Sequence, residues 1–374
     1  MSSKMSVTRR DFLRTTSWLG GTVLVGSSLW GSERLLAQPE TNAPPTVDRL
    51  AVRVVVDSYQ DALVRSAKVG NVEVQRVAGA GLTKRILGEF GLSLHLESQR
   101  GAEKRNFLLD FGYTPIALFN NLDILKVDTA SLDALILSHG HFDHFGGLVP
   151  FLKRERAKMR KDLALYVGGE DTFCYRWTQR PDGQRESFGV LDRRDLAAAN
   201  MRVVMAEKPA VIEGHAFITG SVPKKSFEKV FPVAQVEIGV RDGVGCDASQ
   251  FSKEEQEGKI VPDQFKGEHA TCFNVKDRGL VVISSCGHAG IVNSIRQAQV
   301  VSGVEKVHAV MGGFHLSPTP EPYVAQAVKA LKEINPDCVI PMHCSGPTFI
   351  HMMQREMPDK LILSYTGSRY IFGV

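Results

Sequence analysis

A chain of 374 residues is long enough to bury one large core or two ordinary ones. At 43% hydrophobic and 23% charged residues it has the composition of a soluble globular protein, with no internal repeat or low-complexity tract. The formal net charge is only +4 and no basic stripe is interleaved with aromatics, which argues against nucleic acid as a partner.

Residues 1–37 read as an export signal. Lys4, Arg9 and Arg10 form a charged start, and the run "WLGGTVLVGSSLW" over 18–30 is apolar and glycine-rich. As a helix that run spans about 20 Å, short of the ~30 Å hydrocarbon core, so no stable membrane span is expected in the mature form. "TRRDFL" resembles a twin-arginine signal, which implies passage of an already folded protein through the Tat translocation machinery to the periplasm or another exported location. Ala37 is the expected last residue before cleavage, and 38–49, with "QPETNAPP", a linker.

Beyond it, β-rich runs at 51–58, 92–98 and 106–112 end at polar or glycine positions and predict strands. "DALILSHGH" (133–141) predicts a strand buried on both faces, and 147–159 a helix with a basic outer end. The stretch from about 170 to 267 is less regular and reads as an insertion or lid. After it come two strands joined by a tight turn (271–286), an amphipathic helix (290–303), a strand (306–315), a second amphipathic helix (322–336) and a strand (337–344). Helices following strands predict a layered α/β arrangement.

The chemistry is concentrated in "LSHGHFDHFGG", which holds three of the chain's 11 histidines. His139 and His141 stand two apart after a strand end, so both rings can point into one space. Asp143 and His144 follow on the turn into a helix and can face a second position. Neutral imidazole and carboxylate suit zinc, and also iron or manganese. One turn does not supply enough ligands for two metals, and His288 and His343, each at another strand end, are the expected suppliers. Six cysteines, at 174, 246, 272, 286, 338 and 344, give no disulfide framework and read mostly as small buried hydrophobes. Cys286 and Cys344 differ from the rest in lying beside these histidines.

"HGHFDH" resembles the H-x-H-x-D-H signature of the metallo-β-lactamase superfamily. That resemblance implies an αββα sandwich with a metal site at its edge, as one domain over 50–374. "LDFGYTP", "CGHAGIVNSI", "GGFHL" and "HCSG" narrow it to a group similar to the synthase of 7,8-dihydropterin-6-methyl-4-(β-D-ribofuranosyl)aminobenzene 5′-phosphate. It implies His139 and His141 on a first metal, Asp143, His144 and His343 on a second, and His288 as a further ligand. The superfamily's bridging aspartate is missing: the hairpin is preceded by "GEHA" and ends in "SSCGH". His269 is therefore a candidate for the first place, and Cys286 or His288 for the bridging one. His315 of "GGFHL" is expected in the pocket as an acid/base or substrate-binding residue, and Asp57 as a support or a strand end. His95, His215, His308 and His351 read as structural or surface residues.

The expected function is that of an exported metal-dependent hydrolase with one or two divalent metals, zinc before iron or manganese. Asp143 and His315 are its candidate catalytic groups, and its substrate a phosphorylated or pterin-like small molecule. Synthase or transferase activity follows from the narrower resemblance. The alternatives are a non-catalytic pterin- or metal-binding protein and a di-iron redox protein on the same fold.

Overall fold

The computed structural model describes residues 44–231 and 234–373, together with the backbone of Leu35–Leu36. Apart from that short strand, the export signal expected over 1–37 lies outside the described residues. The fold begins inside the linker expected over 38–49. Thr46–Val47 already pairs in parallel with the strand Thr271–Val275, and Val47 is buried.

Two sheets face each other. In the first, Arg202–Met205, Ala164–Val167, Ala134–Leu137 and Glu103–Leu109 run parallel. The sheet continues antiparallel through Ser93–Arg100, Arg49–Val56, Arg369–Phe372, Val72–Gln75 and Ala67–Val69, and Leu35–Leu36 pairs at the other edge. The second runs Ala210–Ile212, Ala216–Ile218, Thr271–Val275, Gly279–Ser284, Val307–Gly312 and Cys338–Pro341, the last three parallel. Strand alternation assigns the layers. Ala134 and Ile136 face the space between the sheets, where they join Val52, Leu94, Phe107, Phe273, Val281 and Met311. Leu135 and Leu137 face outward onto a layer with Leu118, Leu122, Leu148 and Phe151 from the helices Pro115–Leu125 and Leu148–Glu155. The helices Ile291–Ser302, Glu321–Ile334 and Pro347–Glu356 cover the second sheet through Ile295, Val324, Leu331 and Met353. The architecture is the expected αββα sandwich.

The segment 170–267 is more divided than its composition predicted. Arg202–Met205 belongs to the first sheet, and Ala210–Ile212 and Ala216–Ile218 to the second. These strands are too short for their periodicity to stand out. The remainder builds a small sheet of Arg185–Ser187, Tyr175–Gln179, Gln235–Glu237 and Ile260–Pro262. A Cys174–Cys246 disulfide ties it across 72 residues, so these two cysteines are not the free buried thiols expected of most. Among the described residues no helix is long and apolar enough to cross a membrane.

Candidate metal centre

Four strands end at the same edge of the sandwich and deliver the histidines there. His139 and His141 follow Ala134–Leu137, His288 follows Gly279–Ser284, His315 follows Val307–Gly312, and His343 follows Cys338–Pro341. His315 and His343 both have φ of +47°, a left-handed backbone that bulky residues adopt at a cost and that clusters at functional sites.

The side chains gather into two triads. Ligand atoms of His139, His141 and His288 all lie within 4.8 Å of one another, as do those of Asp143, His144 and His343. The triads adjoin, with the His139 and His144 rings 4.3 Å apart between centroids. All six residues are buried. Nε2 of His139, His144 and His288 and Oδ1 of Asp143 are buried without a hydrogen-bond partner among the described residues. A buried polar atom left unpaired is costly, and here several converge on one space. Three imidazoles on one side and two imidazoles with a carboxylate on the other fit a divalent transition metal at each position.

Protonation states agree with that use at the first triad and at Asp143, whereas His343 must give up a proton to become a ligand. Burial, reinforced by neighbouring cationic groups, holds His139 and His288 well below the usual imidazole range. Burial, followed by Arg176, brings His141 down to about 3. Burial alone would raise Asp143, but His144, His343 and His141 outweigh it and hold the carboxyl below its usual range. Burial would lower His343, yet Cys344, Asp143 and Asp57 outweigh it and raise the imidazole to about 9.

Buried carboxylates fix the ligands from behind. Asp110, at the end of Glu103–Leu109, accepts Nδ1–H of His144 at 2.7 Å and both the amide and hydroxyl of Ser138 at 2.8 Å. This leaves Nε2 of His144 facing the centre. Asp57 accepts the His343 amide at 2.8 Å and the Ser364 hydroxyl at 3.1 Å, which gives it the supporting place expected. Glu268 accepts the amides of His288 and Ala289. Asp110 and Glu268 went unread in the sequence, although "LDFGYTP" and "GEHA" contain them.

The open choices in the ligand set differ in geometry. His288, not His269, completes the group with His139 and His141. His269 has its Nε2 3.2 Å from the carbonyl of Leu137 and joins no candidate group. The Cys286 thiol lies between the triads, grouping with His139 and His144, with His343 and Cys344, and with His288 and His315. Its sulfur is 3.3 Å from that of Cys344, and burial pushes its pKa well up. The His315 ring is 4.1 Å from that of His288. Both line a small, partly open pocket with Lys229, Phe231 and Tyr323. His95, His215 and His308 lie in none of these groups.

Aromatic rings close over the centre. Phe265 stacks face to face on His288 with centroids 3.7 Å apart, and Phe188 meets His141 edge-on at 5.0 Å. Both come from the 170–267 segment. Phe90 lies 4.6 Å from the His343 ring and is 56% exposed, which makes it a residue of the site's mouth.

Residues 99–241 of the chain match the model of the metallo-beta-lactamase superfamily. Along the sequence it is 26% identical over 313 residues to the 7,8-dihydropterin-6-methyl-4-(beta-D-ribofuranosyl)-aminobenzene-5′-phosphate synthase of Methanocaldococcus jannaschii, covering 82% of this chain and 98% of that one. An uncharacterised protein of the same organism is 24% identical over 268 residues, 70% of this chain and 86% of the other. Among solved structures, Tm1679, a metal-dependent hydrolase of the beta-lactamase superfamily, superposes with a TM-score of 0.62 at 20% identity. That match covers 86% of this chain and 98% of the other.

Proposed function

We propose that the protein is a metal-dependent hydrolase acting on a small molecule. The observation that carries this reading is the pair of adjoining triads in which several buried ligand atoms have no hydrogen-bond partner among the described residues. His139, His141 and His288 would hold one divalent metal and Asp143, His144 and His343 the other, with zinc first and iron or manganese as alternatives. A metal there supplies Lewis acidity and a water whose pKa falls toward ~7. Asp143, ionised and held by His343 at 3.2 Å, would be placed to orient a water as well as to hold the metal. His315 faces the adjoining cavity and is the candidate to hand a proton to a leaving group; its imidazole is raised, because Cys344 and Glu268 outweigh burial. The similarity to a synthase of a pterin-linked ribosyl phosphate supports a phosphorylated or pterin-like substrate, and synthase chemistry on such a compound is the second reading. Metal analysis with a panel of phosphoester, lactone and β-lactam substrates tests it. Metal-free protein with the same fold and the same activity would end the hydrolase reading.

The same proposal includes export. Arg9 and Arg10 before a short apolar run, and a disulfide in the folded part, both suit an oxidising compartment reached through the twin-arginine route. Replacing both by lysine is expected to strand the precursor in the cytoplasm; continued export through the general secretory route would refute it.

A further inference from the structure

The first triad has three neutral imidazoles and no carboxylate among its members, so nothing within it offsets the charge of a dication. The polypeptide around His141 provides an acid. Among the described residues, Nε2 of His141 is buried without a hydrogen-bond partner, and the nearest carboxylate oxygen, Oδ2 of Asp263, stands 3.9 Å away. Asp263 is itself buried and fixed on both oxygens. Oδ1 accepts the amide of Phe265 at 2.8 Å, and Oδ2 accepts Nε–H of Arg176 at 2.7 Å.

Arg176 is fully buried, which makes it unusual among arginines. Its other nitrogens reach the carbonyl of Asp171 at 2.9 Å and the Asp171 carboxylate at 3.5 Å. It packs directly under the ligand loop: a Cβ on Gly140, between His139 and His141, would meet its Nη1 at 2.3 Å. Charged groups are buried at such cost only when paired, and this set is paired beneath a candidate ligand. Asp263 does not join the three histidines in a common group of candidate ligand atoms, so its place is behind His141 rather than on the metal.

We infer that Asp263, clamped by Arg176, is the carboxylate partner of His141, a positioning residue supplied by the 170–267 segment. It would receive Nε2–H of His141 once that ring turns to a metal, leaving Nδ1 as the donor. This matches what Asp110 already does for His144 at 2.7 Å. The inference rests on the first triad holding a metal. The segment then completes that position as well as covering it.

The test is chelator competition on the full chain with zinc alone, resolving two binding steps, with the melting temperature of metal-free protein measured in parallel. Two zinc ions on the wild type sustain the underlying reading, and none refutes it without touching the Asp263 comparison in any metal that does bind. Asp263→Asn is expected to weaken the first site about 10- to 100-fold and leave the second unchanged. Asp263→Glu should recover part of that loss. Asp171→Asn removes the other carboxylate on Arg176 and should lower the melting temperature while leaving first-site affinity intact. Arg176→Met/Asp263→Asn, which removes the buried pair together, should show the same selective loss as Asp263→Asn. Nitrogen-15 spectra of the zinc-loaded protein should show His141 as the Nε2–H tautomer, with the Nε2–H signal shifted in zinc-loaded Asp263→Asn. Wild-type first-site affinity in both variants at position 263, or an equal loss in Asp171→Asn, would overturn the assignment and reduce Asp263 to packing.

Discussion

His139, His141 and His288 are neutral imidazoles at any physiological pH, whereas Asp143 and His343 face each other as an ionised pair 3.2 Å apart. The supports differ in the same way. Asp110 and Asp57, at the ends of central strands of the first sheet, bond directly to His144 and His343. The nearest acid to His141, Asp263, comes from the segment outside the main sandwich and stands at a longer distance. One triad is thus anchored by the fold's own core and carries charge of its own. The other is held at the His288 amide by Glu268, covered by Phe265 and Phe188, and flanked at His141 by a buried ion pair. Two metal positions in one cleft can differ in affinity, proton dependence and structural support without differing much in ligand count.

The sharpest break in that comparison is to delete ligands. His139→Ala or His141→Ala is expected to lose at least one metal per chain by elemental analysis, and turnover with it. Next comes the choice between the two residues that stand where a bridging aspartate was missing. His288→Ala should remove the first metal and activity, while Cys286→Ser should be nearly silent. The thiol lies between the triads, but burial holds it protonated, and a thiol is a poor ligand until it loses that proton. If instead Cys286→Ser lowers metal affinity and peroxide inactivates the wild type, the sulfur bridges the metals and the two positions are not independent.

Acid should separate the triads further. In the metal-free protein His343 holds its proton up to about pH 9, so a metal must displace that proton at any lower pH. Below that point, second-site affinity should fall by about tenfold for each unit of pH. His141, at about 3, has no proton to lose over the same range. Titration from pH 8 to pH 6 should therefore release the second metal by about a hundredfold in affinity and leave the first nearly unchanged. Equal release of both metals would mean the charged pair does not set the difference.

Much of this was legible in the sequence, for physical reasons. His139, His141, Asp143 and His144 are contiguous, so a single turn brings them together. His288 and His343 each end an apolar strand, and parallel strands bring their ends to one edge. Helix and strand assignments were strongest where one face is buried over several turns, as in Ile291–Ser302 and Glu321–Ile334. The helix Pro115–Leu125 is marked along the chain chiefly by its N-terminal proline. The pairing of Arg176 with Asp263, 87 residues apart, has no period and no local motif. The same is true of the Cys174–Cys246 bridge and of Phe265 on His288, since contacts between distant irregular segments leave no pattern along the chain.

The smallest expected effect comes from one methyl group at the foot of the first triad. Gly140 separates His139 from His141, and its backbone is not left-handed, so alanine there meets no conformational objection. The objection is space: the added carbon would lie 2.3 Å from Nη1 of Arg176 and 2.5 Å from the carbonyl of Thr172. Arg176 is held by Asp171 and Asp263 and cannot swing aside without leaving a charge unpaired. The ligand loop must shift instead, at a cost of about 1–3 kcal/mol typical of overpacking. Gly101 offers the control, because a Cβ there meets nothing within 4 Å and only its φ of +58° resists substitution. Denaturant unfolding should show both alanine variants destabilised, but only Gly140→Ala should also weaken the first metal. Loss of the second metal in Gly140→Ala, with the first retained, would show that the loop yields toward Asp143 and that the first triad is the more firmly supported of the two.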